Sequence, residues 1–206
     1  RNASVFDAVI GGDFFSEWPG RVALEQNLAS ILAAEADYEA RLDAARRWAK
    51  EWHFRIGVHH LRGLVGAQEA GAEYADLAEA VLSALLPVVE AEFARKHGAA
   101  PGRGAVVLGM GSLGARRLNA SSDLDLIVIY DPGDQEMSDG PRPLAARTYF
   151  ARLTQALVTA LSAPMAEGHV LPHAVTICCS MTLSWFRWRC LESAWFLAEE
   201  GGWPRK

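Results

Sequence analysis

The chain has 206 residues, half of them hydrophobic and 22% charged, with a formal net charge of −5. That is enough chain for one large domain or two small ones with a real core. The acidic balance offers no electrostatic grip on long nucleic acid, and no apolar run reaches the roughly 18–20 residues of a membrane helix. The stretch "RNASVFDAVIGGDFF" lacks a basic, apolar, small-residue leader, which argues against export. Three cysteines, Cys178, Cys179 and Cys190, are odd in number and two are adjacent, so neither a disulfide framework nor a metal spacing is expected. A cytoplasmic location is the expectation.

From Arg21 the sequence turns rich in Ala, Leu, Glu and Arg. Leu24, Leu28, Ile31 and Leu32, then Leu42, Ala45, Trp48 and Ala49, recur at helical spacing. Asp37 suits a helix start and Gly63 a stop. A second pattern runs from about Ala72 to Lys96 through Tyr74, Leu77, Val81, Leu85, Val89 and Phe93. Pro87 within it predicts a kink or the start of a new segment. His59 and His60 are adjacent on such a helix and diverge, so packed or solvated histidines are expected rather than a metal pair. "HGAAPGRG", His97 to Gly104, punctuates the chain. The division is a helical region over 1–104 and a second domain over 105–206.

Beyond that point the pattern becomes β-like. "AVVLGM" is a short apolar run. "LDLIVIYD" is a second, apolar enough to be buried on both faces. "GSLGARRLNASS" between them has room only for a short helix or turn. After the turn-rich "DPGDQEMSDGPRPL", a helix is predicted over "ARTYFARLTQALVTALSA", with Tyr149, Leu153, Leu157 and Leu161 on one face. "HVLPHAVTICCSM" suits another strand, with Cys178 and Cys179 as buried structural thiols. Trp185, Trp188 and Trp195 fall near helical spacing and are expected in a core or a partner-facing patch.

The chemistry concentrates in "VLGMGSLGARRLNASSDLDLIVIYD". Asp123 and Asp125 stand two apart at a strand end, so both project to one side. Two such carboxylates repel unless a cation lies between them, and oxygen-only donors favour Mg²⁺. A lone D-x-D is more often two solvated acids. Here Gly109, Gly111 and Gly114 precede the pair and let a ligand approach the backbone N–H groups, with the Ser112 hydroxyl beside them. A glycine turn into a helix start is a seat for phosphate. The combination describes a nucleoside triphosphate with a metal, and nucleotidyl transfer as the reaction. The spacing is read as excluding both a G-x-G-x-x-G dinucleotide turn and a P-loop, whose Lys-Ser/Thr is missing.

These residues, "LGMGSLGARRLNASSDLDLIVIYD", resemble the signature of the glutamine synthetase adenylyltransferases, bifunctional enzymes of the DNA polymerase β-type nucleotidyltransferase superfamily. The likeness continues upstream through "RRWAKEWHFRIGVHHLRG" and "EYADLAEAVLSALLPVVEAEF", and downstream through "SDGPRPLAARTYFARLTQALVTALSAPMAEG". "FDAVIGGDFFSEWPGR" resembles the segment that joins the two halves of those enzymes, which favours the adenylylating half. The resemblance implies an α/β fold, with a helical N-terminal half followed by a nucleotidyltransferase domain on a small mixed sheet. It implies adenylylation, or its reversal, of a tyrosine on glutamine synthetase in the control of nitrogen assimilation, with ATP as substrate and Mg²⁺ as cofactor. A PII-type signalling protein would engage other parts of a longer chain. By the same likeness Gly111 and Ser112 contact nucleotide phosphates, Asp123 and Asp125 hold the metal and act in catalysis, and Ser122 shapes the turn in the nucleotide site. Arg117 stands where the family has an acid, and Ser112 where it usually has Lys.

The resemblance ends near His169. The family continues with a strand like "LYEVDMRLRPSG", whose Asp is a third metal ligand. Here no Asp follows Asp139, and the remaining acids are Glu167, Glu192, Glu199 and Glu200. A frame change, a replaced tail or divergence would each give this pattern. The expectation is weak nucleotide–Mg²⁺ binding and little or no turnover by the chain alone. The alternative is a degenerate nucleotide-binding module, or a fragment that needs the rest of a bifunctional protein.

Overall fold

The computed structural model describes residues 14–162 with their side chains, and the backbone of residues 175–182 and 195–197. Among the described residues three helices come first: α1 (Arg21–Ala34), α2 (Tyr38–Leu61) and α3 (Ala67–His97). The predicted apolar positions face inward. Leu24, Leu28, Leu32, Leu42, Ala45, Trp48 and Ala49 are all buried. Asp37 caps α2, its carboxylate accepting the Ala40 N–H at 2.8 Å. Gly63, with φ +71°, ends it by donating to the His60 carbonyl, and Leu64 donates to His59.

Helix α3 starts five residues earlier than the apolar pattern indicates. Gly66 is its N-cap, and the Glu69 carboxylate reaches back to the Gly66 N–H at 2.9 Å. It also runs unbroken through Pro87 rather than restarting there. Pro87 has no N–H to give the Ser83 carbonyl. Both residues line a surface groove of about 480 Å³ beside α1.

The second half supplies β1 (Gly104–Gly109), the single-turn α4 (Gly111–Gly114), β2 (Leu124–Asp131), α5 (Ala146–Ser162), β3 (Val175–Thr182) and β4 (Trp195–Leu197). The sheet order is β3-β2-β1-β4. β1 pairs antiparallel with β2, from Gly104 opposite Asp131 to Gly109 opposite Leu126. β3 joins the other edge of β2 in parallel, with Leu124 beside Val175 and Asp125 beside Thr176. The architecture is therefore mixed α/β, and the sheet is mixed as expected. Residues 195–197 correct one expectation: they are extended and pair antiparallel with β1, so Trp195 is not on a helix. Trp185 and Trp188 lie outside the described residues, as do the side chains of Cys178 and Cys179.

Strand parity divides the sheet. Leu124, Leu126, Val128 and Tyr130 of β2 join one continuous core with the helices, including Phe150 and Leu157 of α5. Ile127 and Ile129 face the other way with Leu108 of β1. Tyr130 stacks on Phe150 at 4.4 Å. Arg46 of α2 is fully buried, and it donates to Asp43 at 2.9 Å and to the Ala160 carbonyl at 3.4 Å. Ala160 lies in the last turn of α5, where a cation is electrostatically favoured. No helix among the described residues is long and apolar enough to cross a membrane.

Candidate functional site

β1 ends at Gly109, and the chain reverses over Met110 to Gly114 before returning along β2. The Met110 N–H donates to the Asp125 carbonyl at 2.8 Å, so the turn is fastened to the start of β2. Gly111 has φ +53°, which side-chain-bearing residues rarely adopt. A Cβ at Gly111 would lie 3.0 Å from Oδ2 of Asp125. The glycine thus leaves room for a carboxylate to sit directly against the turn.

Asp125 is half-buried and Asp123 is exposed, one residue before β2. By parity Asp125 belongs to the sheet face of Ile127 and Ile129, away from the helical core. Gly111 and Ser112 are exposed on the turn. Ser122 is half-buried, and its Oγ accepts the Asn119 N–H at 2.9 Å while its own N–H donates to the Asn119 carbonyl. That pair of bonds shapes the bend from which Asp123 emerges. The five residues singled out in the sequence therefore lie on two facing segments at one end of the β1–β2 pair.

Residues 109–114 do spell G-x-G-x-x-G, so spacing alone does not exclude a dinucleotide turn. The topology excludes it, because β1 and β2 are antiparallel and α4 is a single turn, where that motif needs a parallel β-α-β crossover. A four-residue helix also has little dipole. Any anion here would be held by the turn's N–H groups and the Ser112 hydroxyl.

Two carboxylates, one of them kept clear by a glycine, suit a hard cation whose remaining ligands are water and phosphate oxygens. Among the described residues there is no cluster of three or more His, Cys, Asp or Glu that could hold a metal. The β3 position in register with Asp125 is Thr176, and β3, "VTICCSMT", contains no acid. The residues fit one ion held by two protein ligands. His59 and His60 offer no second centre: His59 Nε2 meets the Phe14 carbonyl at 2.8 Å, and His60 Nδ1 meets that of Val65 at 3.2 Å.

The resemblance places Arg116 and Arg117 in the family's Arg-acid region, but the partners Asp76 and Glu79 were not singled out in the sequence. Arg116 forms ion pairs with Asp76 at 2.6 Å and Glu79 at 3.3 Å, both on α3. A salt bridge exists here even though Arg117 replaces the family's acid. The signal available was the spacing of Glu73, Asp76 and Glu79, acids three apart on an otherwise apolar helix face. Hydrogen bonding to Asp76 pushes the Arg116 guanidinium up. Glu79 is also raised, because burial outweighs the opposing pull of Arg116 and Arg21.

A small mixed sheet packed on helices, with a glycine turn facing two strand-end acids, defines a mixed α/β protein. The family model for glutamate-ammonia ligase adenylyltransferase matches residues 1–172, and the chain belongs to that family. It is 46% identical over 169 residues to the bifunctional glutamine synthetase adenylyltransferase/adenylyl-removing enzyme of Brucella suis biovar 1, covering 82% of this chain and 17% of that protein. The proteins of the same name from Mesorhizobium japonicum and Rhizobium meliloti are 44% and 41% identical, over 82% and 80% of this chain and 17% of each. The chain thus spans about a sixth of the length of these relatives. The family match stops just before β3, which begins at Val175.

Proposed function

We propose that this chain carries the nucleotide-phosphate and metal-binding part of an adenylyl-transfer site that acts on glutamine synthetase. ATP would be the donor and a tyrosine hydroxyl the acceptor, in adenylylation or its reversal. In the forward direction the acceptor oxygen bonds to the α-phosphorus, the bond to the β-phosphate oxygen breaks, and pyrophosphate leaves. The phenolic proton passes to solvent. The observation that carries the proposal is the juxtaposition of Gly111 with Asp125: a Cβ built on the glycine would lie 3.0 Å from the carboxylate Oδ2.

Roles follow from position. Gly111 and Ser112 would meet the phosphates, Ser122 would hold the bend, and Asp123 and Asp125 would ligate Mg²⁺. When bound, the ion would neutralise phosphate charge and orient the leaving group. The helices α1 to α3 would supply docking surface, with a PII-type protein acting through other parts of a longer, cytoplasmic protein.

Thr176 beside Asp125 favours a second reading, a site that binds nucleotide without turning it over. The family's third carboxylate has no counterpart at that register position. One experiment separates the two. ATP–Mg²⁺ titration is run beside a pyrophosphate-release assay with glutamine synthetase present, using the parent chain and Thr176→Asp. Binding with little release by the parent, and increased Mg²⁺ affinity in Thr176→Asp, is expected. Efficient release by the parent would refute the two-carboxylate account.

A further inference from the structure

The glycine turn is held from behind by the helical half. Arg116 is the one non-glycine residue with positive φ among those described, at +54°. The left-handed conformation is unfavourable for a side-chain-bearing residue, so its surroundings must enforce it. Arg116 Nη2 donates to Asp76 Oδ1 at 2.6 Å and to the Ala72 carbonyl at 3.4 Å, and Nη1 donates to Glu79 Oε1 at 3.3 Å. Ala72, Asp76 and Glu79 lie on one face of α3, one turn apart. The two carboxylates are largely buried, at 12% and 15% exposure.

Each carboxylate has another partner at the start of the described chain. Trp18 Nε1 donates to Asp76 Oδ2 at 2.9 Å, and Arg21 Nε lies 3.5 Å from Glu79 Oε2. Helix α3 presses on the same segment at Gly71, where a Cβ would lie 3.1 Å from the Leu118 carbonyl oxygen and 3.4 Å from Arg117 Cα. The left-handed step also closes the turn. Arg116 N–H donates to the Leu113 carbonyl at 2.9 Å, and Arg117 N–H to that of Ser112 at 2.8 Å.

We infer that Arg116 is a positioning residue. Clamped by Asp76 and Glu79, it fixes the turn that presents Gly111 and Ser112, and through Trp18 and Arg21 it couples that turn to the segment entering α1. The inference rests on the nucleotide reading of the Gly111–Ser112 turn.

The test uses the 206-residue chain with Arg116→Gln, Arg116→Lys and Arg116→Gly. ATP–Mg²⁺ affinity is measured by calorimetry, and amide exchange is followed over residues 109–118. Arg116→Gln is expected to weaken ATP binding about ten-fold and to speed exchange in the turn by a similar factor. Exchange in the core of α1 and α2 should be unchanged. Arg116→Lys keeps a cation near the carboxylates and should recover part of both losses. Arg116→Gly relieves the backbone cost yet should still bind weakly; a merely local strain would instead show it binding as tightly as the parent. Unchanged affinity and exchange in Arg116→Gln would overturn the clamp. A parent chain that binds no ATP would remove the nucleotide reading, and the clamp then stands if exchange in the turn rises and falls if it does not.

Discussion

The two ends of the β1–β2 pair are both rich in glycine, and the glycines do opposite things. At the Gly104 end, Gly98, Gly102 and Gly140 sit where backbone meets backbone. A Cβ on Gly98 would overlap the backbone of Gly140, one on Gly140 would overlap His97, and one on Gly102 would overlap Pro132. The loop is sealed by hydrogen bonds: Gly140 N–H to the His97 carbonyl, Arg142 N–H to that of Lys96, and Tyr149 Oη to that of Gly98 at 3.0 Å. At the Gly109 end, Gly111 meets only the tip of one side chain, Asp125, and is otherwise exposed. The first end is closed by backbone packing and the second is left open. Composition alone does not tell them apart; what each glycine would collide with does.

The largest expected effect breaks that comparison by exchanging alanine at both ends. Gly98→Ala combines φ +85° with overlap of the Gly140 backbone, which cannot move aside cheaply. It should cost roughly 3 kcal/mol or more in a denaturant melt. Gly111→Ala should cost about 1 kcal/mol, since φ +53° is an accessible left-handed angle and the Asp125 carboxylate can rotate away. Equal losses at the two positions would erase the distinction drawn here.

Tyr149 sharpens the closed end. Burial, reinforced by Glu90 and Asp139, pushes its hydroxyl up to about 12, so it stays protonated and donates to Gly98 throughout the neutral range. Tyr149→Phe should therefore lower stability by about 1 kcal/mol at any pH from 6 to 9. A neutral outcome in equilibrium unfolding would mean the hydroxyl does not secure the loop.

A smaller effect concerns α3, the helix that serves both ends. Glu73 is 8% exposed, and its Oε2 has no hydrogen-bond partner among the described residues. Burial raises its pKa above the ordinary 4.5; Arg55 opposes this, while Glu69 and Asp76 add to it. A carboxyl raised in the folded state stabilises fully below its unfolded value, and that contribution fades as pH rises through the folded value. Glu73→Gln removes the penalty of the buried charge. Its stability relative to the parent should be most favourable near pH 7.5 and should converge toward the parent near pH 4. A constant offset across unfolding curves from pH 4 to 8 would count against this.

Much of the fold is written plainly in the residues. Leu24, Leu28 and Leu32 repeat at the period of a buried helix face, Asp37 announces α2, and the β2 run is apolar at both parities, matching burial of its residues on both faces. The failures have physical causes. The apolar pattern begins only near Ala72, while α3 already includes Gly71, where the Arg117–Leu118 backbone lies close. Pro87 reads as a kink or the start of a new segment, yet the helix does not restart there. The Gly111–Ser112 turn and the acids Asp123 and Asp125 were visible because their spacing is local. Asp76 and Glu79 were not, because their partner Arg116 is about forty residues away in the chain.

Isothermal titration of ATP into the chain, with and without Mg²⁺, for the parent and for Asp125→Asn tests the central claim most directly. The parent should bind ATP in the presence of Mg²⁺ and lose at least ten-fold in affinity when the ion is withdrawn or Asp125 is changed, while Asp125→Asn keeps the parent's unfolding midpoint. ATP binding that ignores both Mg²⁺ and Asp125 would contradict it.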